Sequence, residues 1–236
     1  MSKSILALSF AAAAALATTS FAVTPSGAPG EVINHLGAAE DYSRWSFAVH
    51  AGVAEKAYRK DPVTDFSRVN AIIGFDLTRW FSVYGVAGTM EQKIKIGDSS
   101  VTDDSGLFGA GIWANLMQSE QLSIFDSVDR YTISTGAEIT YAGFDSDTWL
   151  SLDAFLAFEI QGDVGRQAFI FPRTVGIYFG PVVSVSLSSD YDTSSSNAIG
   201  FGGGVNVKFT DDVYLKVGGD FFSDDSTVYG QFGINF

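Results

Sequence analysis

The chain has 236 residues, with 14 Lys and Arg against 27 Asp and Glu, so its formal net charge is −13. That balance excludes nucleic acid as a partner, because phosphate binding needs clustered basic side chains. A chain that is 46% hydrophobic and only 17% charged is not disordered, and the absence of cysteine excludes disulfide scaffolds, Cys-ligated zinc and thiol chemistry.

The first element is an address. Lys3 precedes an apolar run from Ile5 to Ala17, and Ser20-Phe21-Ala22 supplies a small-x-small cleavage site, the layout of a secretory signal peptide over residues 1–22. The run is shorter than the ~20 residues of a spanning helix. Its removal takes the charge to −13 − 1 = −14, since Lys3 is its only charged side chain. Residues 23–43, with Pro25, Gly27, Pro29 and Gly30, read as a flexible N-terminal lead-in.

From Arg44 the hydrophobic period becomes two. Trp45, Phe47, Val49, Ala51 and Val53 alternate with Ser46, Ala48, His50, Gly52 and Ala54. The contrast recurs from Val69 to Leu77, with Ile72 as an exception, from Phe108 to Leu116, and from Leu150 to Gln161. It returns from Val175 to Leu187, from Ile199 to Phe209 and from Val213 to Phe221. Segments Phe81–Glu91 and Tyr131–Tyr141 alternate less cleanly, and Thr227–Phe236 closes the series, so ten strands are predicted, with eight as the alternative count. Runs of roughly 9 to 13 residues exceed the usual strand length and match a tilted bilayer crossing. Tight connections such as Thr78-Arg79-Trp80 and Thr210-Asp211-Asp212 make sequence neighbours antiparallel. The fold class is therefore all-β: a closed antiparallel up-and-down transmembrane β-barrel over residues 44–236.

Alternation alone also suits a soluble sandwich. The polar face decides between them, because it carries Gly, Ser, Thr and Asn with few of the long Lys and Glu that cover a soluble sheet. An inverted barrel, apolar to lipid and polar within, accounts for that. Aromatics near strand ends predict two girdles. One comprises Trp45, Trp80, Phe81, Tyr131, Phe209 and Tyr214; the other comprises Phe66, Tyr141, Phe144, Trp149, Phe222 and Tyr229.

The final strand, with Val228, Gly230, Phe232, Ile234 and a terminal Phe236, resembles the C-terminal assembly signal of Gram-negative outer-membrane barrels. With the signal peptide and the Gly-rich strand Gly200–Phe209, the chain is similar to small OmpA-like and opacity-type barrels, over the barrel domain only. That resemblance implies the cell outer membrane as location, with lipid, lipopolysaccharide and the barrel assembly machinery as partners. It also implies a non-enzymatic, structural role with porin-like passage of small solutes as an added capacity. Two features depart from the family: eight strands are usual there, and the connections 117–130 and 162–172 are long for periplasmic turns.

No catalytic, metal or cofactor set emerges. His50 is one of two histidines, and neither Asp-x-His nor Gly-x-Ser-x-Gly accompanies it, so a lumenal histidine is preferred to a membrane-embedded hydrolase. Gly200, Gly202, Gly203 and Gly204 lie in a strand with no following helix, which excludes a phosphate loop. The candidate lumen-lining residues are His50, Glu138, Asp153, Glu159, Lys208 and Lys216. If these charges pair they plug the barrel, and if water separates them they line a narrow channel; the plug is preferred because small barrels fill with side chains. By strand parity the outer loops fall at 56–65, 92–104, 142–147, 189–197 and 223–226, and a third reading makes them a surface for weak binding. Their aspartates, at 98, 103, 104, 145, 147, 190, 192, 224 and 225, are expected to be turn residues first and weak divalent-cation ligands second.

Overall fold

The computed structural model describes residues 45–57, 63–78, 80–96, 98–122, 128–145, 148–164, 172–188, 199–210, 212–222 and 225–236. The predicted signal peptide (1–22) and the predicted lead-in (23–43) lie outside these residues. Period-two alternation builds ten strands: β1 (Trp45–Ala57), β2 (Val63–Thr78), β3 (Phe81–Ile96), β4 (Ser99–Leu122), β5 (Val128–Gly143), β6 (Thr148–Asp163), β7 (Thr174–Ser188), β8 (Ile199–Lys208), β9 (Val213–Phe221) and β10 (Asp225–Asn235). Each pairs antiparallel with its sequence neighbour, and β10 returns to β1, so the sheet closes without an edge. The seam ends on a reciprocal pair, with Trp45 N donating to Phe236 O at 3.2 Å and Phe236 N donating to Trp45 O at 2.9 Å.

The two faces are inverted relative to a soluble protein. Phe47, Val69, Ile73, Phe108, Ile112, Ile177, Phe201, Val217 and Phe232 point outward and are exposed, whereas Asn70, Glu138, Asp153, Glu159, Lys216, Asp220 and Gln231 are buried inside. Ile72 breaks the apolar-polar alternation of β2 because it is an inward residue, packed in the interior apolar cluster. The side bearing both chain ends is called the terminal side, and the opposite rim the loop side.

Strands run further than the hydrophobic alternation alone implies. Positions 92–104 are not a loop: β3 and β4 continue in register to Ile96 and Ser99, and Asp103 and Asp104 lie within β4. At the terminal side, β4 reaches Leu122 and β5 starts at Val128, so most of the long connection 117–130 is paired hairpin. Outside an apolar band a strand needs no apolar face, so its hydrogen-bonded ladder extends where the hydrophobic signal stops. A bulge between Asn115 and Met117 marks the change, leaving Leu116 and Met117 both exposed.

The aromatic girdles need correction. On the terminal side Trp45, Trp80 and Phe236 are exposed, but Tyr214 is buried. Of the predicted loop-side members only Tyr141 is exposed; Phe66, Phe144, Trp149, Phe222 and Tyr229 are buried. Parity is the reason: Trp149 shares its face with Ser151 and Asp153, Phe66 with Arg68 and Asn70, and Tyr214 with Lys216.

Candidate functional site

The site is the lumen, and register places its side chains in rows. One inward row passes through every strand: Gln161, Gly176, Asn206, Lys216, Gln231, His50, Asn70, Gly88, Leu107, Ala142 and, back on β6, Trp149. It returns to β6 displaced by 161 − 149 = 12 residues, the stagger that closure with tilted strands requires. The row climbs from the terminal side to the loop side and changes chemistry on the way, polar through Asn70 and apolar from Leu107 onward.

The six lumen-lining candidates are all buried inside the barrel. Glu138 and Asp153 are direct cross-strand partners on β5 and β6. Two carboxyl groups so placed repel when both are ionised, and a nearby cation lessens that repulsion. Arg68 of β2 provides that cation: its guanidinium lies within electrostatic reach of Glu138, Asp153 and Asp220, on β5, β6 and β9. Arg68 thus ties together strands from three parts of the wall. Asp153 also accepts hydrogen bonds from Ser151, at 2.9 Å, and from Ser184. Ser151 is hydrogen-bonded in turn to Thr140, at 2.8 Å.

Glu159 belongs to a second network nearer the terminal side, accepting from Gln161 Nε2 at 2.8 Å and from Asn206 Nδ2 at 3.4 Å. Lys216 stands beside Asn206 in the register, with its ammonium 5.5 Å from the Tyr178 ring centre. Lys208 pairs in register with Tyr214, whose hydroxyl receives the Gln231 amide at 3.0 Å. His50 is flanked by Asn70 and Gln231 and stacks on Tyr229 at 5.6 Å. Its register partners are thus an amide on each side, neither a serine nor a carboxylate. Tyr229 and Tyr178 join hydroxyl to hydroxyl at 3.0 Å across the interior.

Above these networks the lumen is mostly apolar, although Gln92, the register partner of Phe66, and Ser105 and Thr227 are buried there too. Trp149 of β6 meets Phe66 of β2 with ring centroids 5.3 Å apart. Three strands separate β2 from β6 in one direction and five in the other, so this contact crosses the barrel. Met90, Leu107, Ala142, Phe144, Val182 and Phe222 belong to the same buried cluster.

No family model matches this chain, and no curated protein matches it. Among solved structures, it is similar to the translocator domain of the autotransporter NalP from Neisseria meningitidis, with 10% identity over 85% of this chain and 90% of that one and a TM-score of 0.40. It is similar to the transport unit of the autotransporter AIDA-I from Escherichia coli, with 9% identity over 89% and 95% and a TM-score of 0.42. It is also similar to an outer membrane channel from Pseudomonas putida F1, with 10% identity over 87% and 100% and a TM-score of 0.39.

Sequence reasoning missed Arg68, and it placed the mouth aromatics Phe66, Phe144, Trp149 and Phe222 in an outward girdle whereas they are buried inside. Alternation becomes legible in β2 only at Val69, so Arg68 falls just before the recognised strand, although counting back by two from Asn70 places it on the lumen face. Of the loop aspartates, Asp103 accepts from the Asp145 backbone N–H at 3.1 Å, which ties β4 to the turn after β5. The aspartates at 147, 190, 192 and 224 lie outside the described residues. Phe232, Ile234 and Phe236 all face outward and are exposed, forming an apolar stripe along the last strand.

Proposed function

We propose that the protein is an integral barrel of the Gram-negative outer membrane, of the OmpA-like, opacity-type kind though with ten strands. Its role is structural and non-enzymatic, and its lumen gives at most a narrow passive route to small solutes. The observation that carries the reading is the inverted wall. Apolar side chains such as Ile112, Phe108 and Val217 cover the outside, while arginine, lysines and carboxylates are buried inside, a distribution that water would penalise on both faces and a bilayer stabilises. The exposed ring of Trp45, Trp80 and Phe236 suits the headgroup level on the terminal side, which is then periplasmic. Barrel assembly machinery and lipopolysaccharide are the corresponding partners, and the acidic loop-side residues offer divalent cations weak contacts at most.

Membrane fractionation with heat-modifiable gel migration tests the reading. The chain is expected in the membrane fraction, with faster migration before boiling than after; recovery as a soluble protein would overturn it. Phe236 supplies two closing backbone bonds and the last outward ring. Its deletion is expected to reduce the amount of folded barrel in the membrane severalfold, and undiminished assembly would remove the terminal-signal reading.

A further inference from the structure

We infer that the edge of β4 on the terminal side is a docking site for one extended strand, and that residues 31–36 of the predicted lead-in, which lie outside the described residues, occupy it. The β3–β4 ladder ends at the pair Phe81–Ala114, followed by one last bond from Asn115 N to Trp80 O at 2.9 Å. β4 nevertheless runs on to Leu122, and from Met117 onward its ladder partner among the described residues is β5 alone. Beneath β3, the six residues Met117–Leu122 thus present a sheet edge about 20 Å long.

Backbone direction shows what this edge offers. Met117 N–H donates to the Asn115 side-chain Oδ1 at 3.1 Å, and so is turned away from β5. Ladder groups two residues apart point the same way, so the main-chain groups of Ser119 and Gln121 face the edge as well. Proline, lysine or a bulge ordinarily blocks such an edge. Here the bulge stands only at the head of the segment, and Met117–Leu122 carries neither proline nor lysine.

Position, direction and sequence name the occupant. β1 starts at Trp45 on the same side, and β1 to β4 are consecutive in the ring, so the place beside β4 and beneath β3 lies two strand spacings, ~10 Å, from the start of β1. Residues 37–44 reach up to ~26 Å when extended, which covers that distance. β4 descends to the terminal side and a segment leading up into β1 ascends, so the two are antiparallel, the more stable pairing. Pro25 and Pro29 lack a ladder donor, whereas Glu31-Val32-Ile33-Asn34-His35-Leu36 has neither proline nor glycine and includes two β-branched residues. A second copy does not fit, given the membrane-barrel reading: two β4 edges paired about a two-fold axis would set one barrel upside down in the bilayer.

Hydrogen exchange of the full chain in lipid vesicles, read at the Ser119 and Gln121 amides, is the test. Exchange there is expected to be at least tenfold slower than in a chain lacking residues 31–36, while the amides of 108–114 exchange equally slowly in both. Ile33→Pro with Asn34→Pro, which removes a ladder donor in either register, is expected to act like the deletion. A deletion chain that keeps the protection overturns the lead-in as occupant, and fast exchange in the intact chain overturns docking at this edge.

Should the deletion prevent assembly, disulfide formation in the otherwise intact chain decides, clean because the chain has no cysteine of its own. With Ser119→Cys fixed and cysteine scanned through positions 32–36, linkage is expected at one position and those two residues from it. No linkage, or equal linkage at all five positions, overturns the pairing. Loss of heat-modifiable migration in the native chain instead overturns the underlying membrane reading.

Discussion

Bulky inward side chains are accommodated by glycines on the neighbouring strand. Tyr84 lies over Gly111, its register partner, and a Cβ built there would sit 2.7 Å from Tyr84 Cε2 and closer still to the ring tip. Tyr178 is flanked in the same way by Gly204 and Gly218, Tyr214 by Gly233, and Phe155 by Gly136, where a Cβ would come within 2.7 Å of the ring. The glycine richness of the chain is thus partly the complement of its tyrosines: a narrow interior holds large rings only where the facing wall is bare backbone. Gly111→Ala is expected to destabilise the folded barrel by about 1–3 kcal/mol through overpacking, more than the ~0.5–1 kcal/mol that alanine's lower chain entropy returns. Urea titration in lipid vesicles measures it, and an unchanged midpoint would mean that Tyr84 moves aside freely.

At the scale of elements, the strands are longer than the layer they cross. On β3 and β4 the outward residues Lys93, Lys95, Ser100 and Thr102 are polar, and Lys95 forms an ion pair with Asp65 of β2 at 2.6 Å, with both side chains partly exposed. Such an exposed pair contributes little, about 0–1 kcal/mol. The end of this hairpin is therefore expected to be dispensable: replacing residues 93–102 with a two-residue Asn-Gly turn should leave heat-modifiable migration intact. Loss of the folded form would assign the projection a part in assembly. Hairpin extension also explains why polar segments on both sides of the barrel read as loops from the sequence. Alternation reports an apolar face, whereas the ladder of backbone hydrogen bonds has no sequence period of its own.

The whole molecule is governed by one inversion, which places the hydrophobic face outside and confines charges to a space too small for them to avoid one another. Ile112 stands near the middle of the outward apolar run from Phe108 to Leu116 and is exposed. Ile112→Lys is expected to cost about 2–4 kcal/mol of folding stability in a bilayer, the penalty for a lysine near the midplane. Folding titrations in vesicles check this. A neutral effect would place that surface in water and count against a lipid-facing wall.

Strand number, antiparallel order and the identity of the outward face were legible in the sequence, because a two-residue period repeated ten times has few other physical solutions. The burial of His50, Glu138, Asp153, Glu159, Lys208 and Lys216 follows from the same parity. What meets what was decided only by closure. Arg68 reaches Glu138, Asp153 and Asp220, and Phe66 touches Trp149, from strands that are not neighbours; those contacts depend on a stagger of 12 residues accumulated around the whole ring. A periodic pattern specifies to which side a residue points, but not its height on the wall relative to a strand on the far side. That height places charged groups below and an aromatic layer across the mouth, and it exists only once β10 has met β1.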